Sequence, residues 1–180
     1  MRRLIFIFIV ISTTCFLITT SEGGIATTKH NLSVSGPGAV RAVEETQICI
    51  FCHTPHNSSP RGPLWNRRDP GSNYTPYSSS TAVASPGQPT GASILCLSCH
   101  DGTIALGDVL SRTTPISLVG GVTTIPSGTG RLGTDLSDDH PISFVFSTDL
   151  ASKRGELVNP NTLTGKVRLD SSGQLQCTAC

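Results

Sequence analysis

The sequence predicts a mostly irregular fold, with short helices at paired cysteines and one or two β-hairpins, organised around a bound group. Three observations lead to this prediction. Strong helical periodicity is absent after the first 23 residues. Aromatic residues make up only 5% of the chain, and glycine and proline together supply 30 of its 180 residues. Such a chain buries too little apolar surface to stabilise itself, so without a bound group we expect partial disorder.

Residues 1–23 have the pattern of a signal peptide of the general secretory type. Arg2 and Arg3 precede an apolar run of 15 residues from Leu4 to Ile18, and small polar residues follow. The competing interpretation is an uncleaved anchor, but the run is shorter than the roughly 20 residues of a spanning helix. We therefore expect a bacterial chain that meets the membrane only during export. Residues 24–180 would form one domain in the periplasm or at the cell surface.

The remaining elements follow from local patterns. The segment Val40–Cys52 is the best helical candidate, and residues 57–93 are dominated by Ser, Pro, Thr, Gly and Asn, which predicts a long loop. A second short helix is predicted from Ser93 to Ala105. Apolar residues flanking glycine pairs or Ser-Gly turns predict hairpins over Ile116–Ile125 and Lys166–Cys177.

One pattern of chemistry recurs along this irregular chain. Cys-x-x-Cys-His occurs at Cys49, Cys52 and His53, and again at Cys96, Cys99 and His100; a third pair is formed by Cys177 and Cys180. On a helical turn, residues i and i+3 share one face, so two thiols can reach the two vinyl groups on one haem edge. The following imidazole is the usual proximal ligand of the iron. The pattern is typical of covalently attached c-type haem.

Zinc sites and disulfides are the alternatives to haem. Both use paired cysteines, but neither requires a histidine directly after each pair. Histidine occupies only 5 of 180 positions, so two accidental matches have odds of about one in a thousand. Removing Cys15 with the signal peptide leaves six cysteines, all of them in the three pairs.

Each haem iron also needs a distal ligand or an open position. The only methionine is Met1, which leaves with the signal peptide, so histidine is the expected ligand. His53 and His100 are proximal, and the distal candidates are therefore His30, His56 and His140. Three candidates for three haems favour bis-histidine coordination.

The three distal candidates differ in their surroundings. His56 lies only three residues after His53, so it would have to bind a neighbouring haem. His140 follows two aspartates, one of which would fix its ring tautomer. His30 lies near the mature N-terminus, where chains often fray, and it would alternatively serve an adjacent subunit.

The charge balance gives no indication of nucleic-acid binding. Without Arg2, Arg3 and Glu22 the chain has 11 basic and 11 acidic side chains, and haem propionates would make it acidic. Arginine pairs with carboxylates in a bidentate fashion, which makes four residues candidate propionate partners: Arg61, Arg67, Arg68 and Arg112.

Several segments together resemble the multihaem c-type cytochromes with doubled Cys-x-x-Cys-His motifs. They are Cys49-Ile-Phe-Cys-His-Thr-Pro-His56, Pro63-Leu-Trp-Asn66, Cys96-Leu-Ser-Cys-His-Asp-Gly-Thr103, Asp138-Asp-His-Pro-Ile-Ser143 and Cys177-Thr-Ala-Cys180. In that family a histidine would follow Cys180, so the resemblance implies a C-terminally truncated chain with two complete haem sites and a third truncated one. It also implies an electron carrier whose partners are other cytochromes, with assembly into filaments in some relatives.

The expected function is thus non-catalytic electron relay through closely spaced haems. A haem-bearing subunit of a multihaem reductase is the first alternative. It would need an open axial position and a catalytic pocket, and no catalytic constellation is evident. A zinc- or disulfide-stabilised exported binding module is the second alternative.

Overall fold

The computed structural model describes residues 24–128, 130–153 and 155–179. Regular structure within these ranges is sparse, as predicted. There are two α-helices, α1 (Gly91–His100) and α2 (Thr148–Ser152), and two strands, β1 (Phe144–Val145) and β2 (Gln174–Leu175). Short 3-10 segments make up the rest: Ile25–Thr27, Cys49–Phe51, Val119–Gly121, Pro160–Thr162 and Cys177–Ala179. The predicted signal peptide lies outside the described residues, and none of the described helices is long and apolar enough to cross a membrane.

Helix α1 is the longest element, and it differs at both ends from the predicted helix over Ser93–Ala105. It begins at Gly91, where Thr90 is tied to the small sheet by its Oγ1, which donates to Gln174 Oε1 at 2.9 Å. It ends at His100 because the next side chain, Asp101, accepts hydrogen bonds from the backbone N–H and hydroxyl of Thr103, each at 2.8 Å. Such local side-chain bonds offer the backbone an alternative to helix.

The helix predicted over Val40–Cys52 is wrong for most of its length. Only Cys49–Phe51 is helical, as a single 3-10 turn. The backbone N–H of Ala42 donates to Leu32 O at 2.7 Å, and that of Val43 donates to Ser117 O at 3.0 Å. Because these groups bond to distant segments, they are not available for a helical ladder.

The two predicted hairpins are also wrong, in different ways. Residues around the glycine pair form the 3-10 turn Val119–Gly121, and Leu118 makes an isolated bridge to Ala42. In the second region the turn is present, since Gly173 N donates to Asp170 O at 3.0 Å. Strand β2 after that turn pairs with β1, however, in antiparallel register Phe144↔Leu175 and Val145↔Gln174.

The interior combines two small apolar clusters with buried polar side chains. The first cluster contains Ala42, Ile50, Phe51, Leu106 and Leu118, and the second contains Tyr74, Leu97 and Leu136. Asn66 and Arg67, from the predicted long loop, are each 0% exposed. The predicted loop over residues 57–93 is indeed irregular, but this part of it lies in the interior and not at the surface.

Asn66 holds the first cysteine motif to a later segment. Its Nδ2 donates to Ile50 O at 2.6 Å and to Ser111 Oγ at 2.8 Å, and its Oδ1 accepts from Ser111 N at 2.9 Å. Its own backbone N–H donates to Cys52 O at 2.9 Å. The hydrogen bonds of this one buried side chain thus join segments that no helix or sheet connects.

We predict that Asn66→Ala lowers the free energy of unfolding by about 2–3 kcal/mol, because it leaves several buried backbone and hydroxyl groups without partners. Urea denaturation measures this change. The control is Asn73→Ala at an exposed position, which should change stability by no more than about 0.5 kcal/mol. Equal unfolding midpoints for the two variants would show that the hydrogen bonds of Asn66 do not stabilise the fold.

Candidate cofactor sites

The first motif is a single tight turn that collects its three chemical groups. Cys52 N and His53 N both donate to Cys49 O, at 3.1 and 2.8 Å. Cys49 and His53 are exposed at the edge of a cleft of about 450 Å³. The other residues lining this cleft are Gln47, Ile50, Thr54, Pro55, Leu64, Ser111 and Arg112. The cleft therefore has a thiol and an imidazole from the motif on its wall.

The aromatic residue of the long loop lies against this motif. The ring of Trp65 is edge-to-face with that of His53, with centroids 6.1 Å apart and an interplanar angle of 84°. Backbone bonds fix the contact, since Thr54 N donates to Leu64 O at 2.8 Å. The indole Nε1 is buried and has no hydrogen-bond partner in the described part of the chain. This N–H is therefore available to donate a hydrogen bond to a further polar group beside His53.

The second motif occupies the last two turns of α1. Cys96, Cys99 and His100 are spaced i, i+3 and i+4, which puts all three on one helix face. The ring Nδ1 of His100 lies 2.5 Å from Gly130 O. Since a carbonyl can only accept, Nδ1 carries the proton and Nε2 keeps its lone pair for a metal.

His30 is the distal candidate that the structure brings next to a proximal histidine. Its ring centroid lies 6.1 Å from that of His100, with an interplanar angle of 66°. An iron bound by two imidazole nitrogens, at about 2 Å on each side, would place the ring centroids about 6 Å apart. Direct edge-to-face stacking of two rings covers the same range of distances.

The N-terminal segment around His30 is held by polar contacts. Asn31 is buried; its Nδ2 donates to Ala26 O at 2.8 Å, and its Oδ1 accepts from Ser33 N at 3.1 Å. His30 itself is exposed. The chain therefore presents this imidazole from a fixed turn.

The other two distal candidates lie at the surface. His56 is exposed, and its carbonyl accepts from Thr54 Oγ1 at 2.8 Å. His140 is exposed, and its Nδ1 donates to Pro141 O at 2.8 Å. The predicted aspartate partner of His140 is thus replaced by a backbone carbonyl, which still leaves Nε2 free. In the described ranges, no three His, Cys, Asp or Glu side chains are grouped to hold a metal ion.

The third cysteine pair is docked against the second motif. Cys177 begins the 3-10 turn Cys177–Ala179, and Cys180 lies outside the described residues. Ser93 Oγ, one turn before Cys96, accepts from Cys177 N at 3.0 Å and donates to Gln176 Oε1 at 2.6 Å. This docking brings the thiols of Cys96 and Cys177 into hydrogen-bonding contact.

The second cysteines of the first and second motifs lie against the same apolar cluster. Cys52 and Cys99 both pack against the cluster that contains Phe51 and Leu106. Burial and then the neighbouring Cys99 raise the pKa of Cys52 to about 11, and burial raises the pKa of Cys99. The five described cysteines all have free thiols.

The Cys177 thiol differs from the others in acidity. Its pKa is lowered because the Cys96 thiol donates a hydrogen bond to it. The pKa of Cys96 is correspondingly raised, first by this contact and then by burial.

The arginines suggested as propionate partners are already engaged. Arg61, Arg68 and Arg112 form ion pairs with Asp69, Asp108 and Glu45. Arg67 is buried and bonds to backbone carbonyls. Only Arg112, 2.7 Å from Glu45, also lines the cleft beside His53.

Sequence reasoning missed the residues that position the motifs. They are Asn66, Ser93, Gly130 and Gln176, each of which acts on a motif through a contact between distant segments. Gly130 has φ +99°, which favours glycine, but nothing in the local sequence links it to His100.

In comparisons with known proteins, the chain matched no family model and no curated relative.

We predict that Cys177 reacts faster than Cys52 with iodoacetamide at pH 7, in the full chain made without attached haem. The thiolate is the nucleophile, and the lowered pKa of Cys177 gives it the larger thiolate fraction, whereas Cys52 stays protonated. Peptide mass spectrometry gives both rates. In urea the two thiols should react at similar rates, because the folded surroundings of both are lost. Equal rates in the native chain would contradict the lowered pKa of Cys177 and the raised pKa of Cys52.

Proposed function

We propose that this chain is an exported electron carrier in which c-type haems are bound by the three cysteine pairs. The observation that carries the proposal is the repeated Cys-x-x-Cys-His motif, with a thiol pair and an imidazole gathered on one turn in each complete copy. The two complete sites are Cys49, Cys52 and His53, and Cys96, Cys99 and His100. Cys177 and Cys180 would hold a third haem. Electron relay requires no catalytic step, so the proposed role is that of a carrier and not of an enzyme.

Two features of the motifs support this cofactor. His100 has its Nδ1 on Gly130 O, which leaves Nε2 as the ligating atom. His53 and Cys49 share the wall of a cleft, and a buried indole donor lies beside His53. When bound, haem supplies an iron that cycles between ferric and ferrous states.

The positions of the cysteines from the three pairs support transfer of electrons from one haem to the next. Cys52 and Cys99 share one apolar cluster, and Cys96 contacts Cys177. Thioether bonds at these positions would bring the edge of each haem close to the next. Closely spaced redox centres suit transfer of electrons along the molecule, with other cytochromes as donor and acceptor.

The axial ligands favour low-spin, bis-histidine iron. No methionine remains after residue 1, and the ring spacing of His30 and His100 matches that of two ligands on one iron. We assign His30 as the distal ligand of the haem at Cys96 and Cys99. His56 and His140 remain distal candidates for the other haems, on neighbouring parts of the chain or in a homopolymer.

The contact between Cys96 and Cys177 also favours a second candidate, a disulfide-stabilised exported binding module. In an oxidising compartment two touching thiols form a disulfide readily. Such a bond would occupy cysteines from two motifs and exclude haem from both. Counting covalent haems therefore separates the two candidates.

The test is to export the full chain in a bacterium that attaches c-type haem and to weigh the purified product. We expect the mass of at least two haem groups. The double variant Cys49→Ser/Cys52→Ser should lose one of them, and Cys96→Ser/Cys99→Ser should lose another. A native chain with no added mass would contradict the proposal, and a Cys96–Cys177 cross-linked peptide in it would establish the disulfide module.

We predict that His30→Ala converts the haem bound at Cys96 and Cys99 to high spin, because one axial ligand is lost. Electron paramagnetic resonance of the ferric protein measures the spin state. Lys29→Ala, at the adjacent exposed position, is the matched control and should stay low spin. His56→Ala should likewise produce a high-spin haem at another motif. A fully low-spin His30→Ala spectrum would remove His30 from the ligand set.

A further inference from the structure

Arg67 is a fully buried cation at the contact between the first two motifs. It is 0% exposed. Its Nη2 donates to Ser98 O at 2.9 Å and Ala105 O at 3.2 Å, Nη1 donates to Leu106 O at 2.9 Å, and Nε donates to Ser98 O at 3.3 Å. Arginine suits such a site because its guanidinium is weakly hydrated and remains charged.

This guanidinium is not neutralised by a carboxylate within the described residues. The ion pairs found there involve Arg61, Arg68 and Arg112. Asp101 is buried and acts on Cys99, and its carboxylate accepts hydrogen bonds from Tyr74 and Thr103. Arg67 is therefore stabilised mainly by carbonyl dipoles and keeps a net positive charge in the interior.

The charge lies close to the second cysteine of each complete motif. In this position it acts to lower the pKa of both the Cys99 and the Cys52 thiols, against the larger effect of burial. The backbone supports this placement, since the adjacent Asn66 N donates to Cys52 O at 2.9 Å and Ser98 precedes Cys99.

We propose that Arg67 is a fixed internal cation that raises the reduction potentials of both haems attached at Cys52 and Cys99. This inference rests on the proposed function. Each ferric haem gains one electron from a donor and becomes one charge less positive. A nearby cation therefore stabilises the reduced form, and burial protects the effect from solvent and salt. Arg67 would thus offset part of the low potential that two histidine ligands confer.

The test is a spectroelectrochemical titration of the full haem-loaded chain at low and high ionic strength. Arg67→Met should lower the midpoint potentials of both haems, by the same amount at the two salt concentrations. Arg67→Gln should do the same while keeping an N–H donor toward Ser98, which provides a second neutral variant if Arg67→Met does not accumulate. Arg67→Lys should keep the native potentials, even if its stability falls, at a pH low enough to keep the buried lysine protonated.

Arg68→Met is the matched control. Arg68 is exposed and paired with Asp108 at 3.5 Å, so its removal should shift the potentials little, with a shift that vanishes at high salt. Unchanged potentials in the neutral Arg67 variants, with the Soret band intact, would overturn the inference alone. A drop in Arg67→Lys equal to that in Arg67→Met, at a pH low enough to keep the lysine protonated, would also overturn it, since geometry and not charge would then be responsible. Absence of haem from the native chain would overturn the proposed function itself.

Discussion

Hydrogen bonds from buried side chains to the backbone hold this molecule together where helices and strands do not. Asn66 bonds to Ile50 O and Ser111, Arg67 bonds to the carbonyls of Ser98 and Leu106, and Ser93 joins Cys177 to helix α1. Each is worth about 1 kcal/mol net when made, and about 1–3 kcal/mol when one partner is removed. The fold is therefore sensitive to a few polar residues, because its apolar clusters are small.

These contacts also decide where the reactive groups lie. Asn66 and Arg67 come from one short stretch of loop, yet they reach both complete cysteine motifs. Ser93 and Gln176 do the same for the second and third cysteine pairs. Motifs that are 47 and 81 residues apart in sequence thus become neighbours in space. In the proposed carrier, the bonds that stabilise the fold are the same bonds that space the haems.

Residue types and local spacing predicted the scarcity of regular structure but not the contacts between distant segments. The cysteine motifs and the scarcity of regular structure follow from residue types and local spacing, and α1 was placed within a few residues at its start. The helix over Val40–Cys52 was wrong because Ala42 and Val43 bond to Leu32 and Ser117. The hairpin after Lys166 was wrong because β2 pairs with β1. Both errors involve partners far along the chain, which local patterns do not specify. The proximity of His30 and His100 likewise depends on contacts between segments far apart in the chain. The aspartate partner predicted for His140 is wrong, because the ring Nδ1 bonds to the carbonyl of Pro141.

The central claim is that haem is covalently attached to the cysteine pairs. The absorption spectrum of the purified, exported chain tests this claim most directly. We expect a strong Soret band that persists after acid–acetone extraction, since thioether bonds would retain the haem, and a sharp visible band on reduction. A colourless protein that remains folded would contradict it.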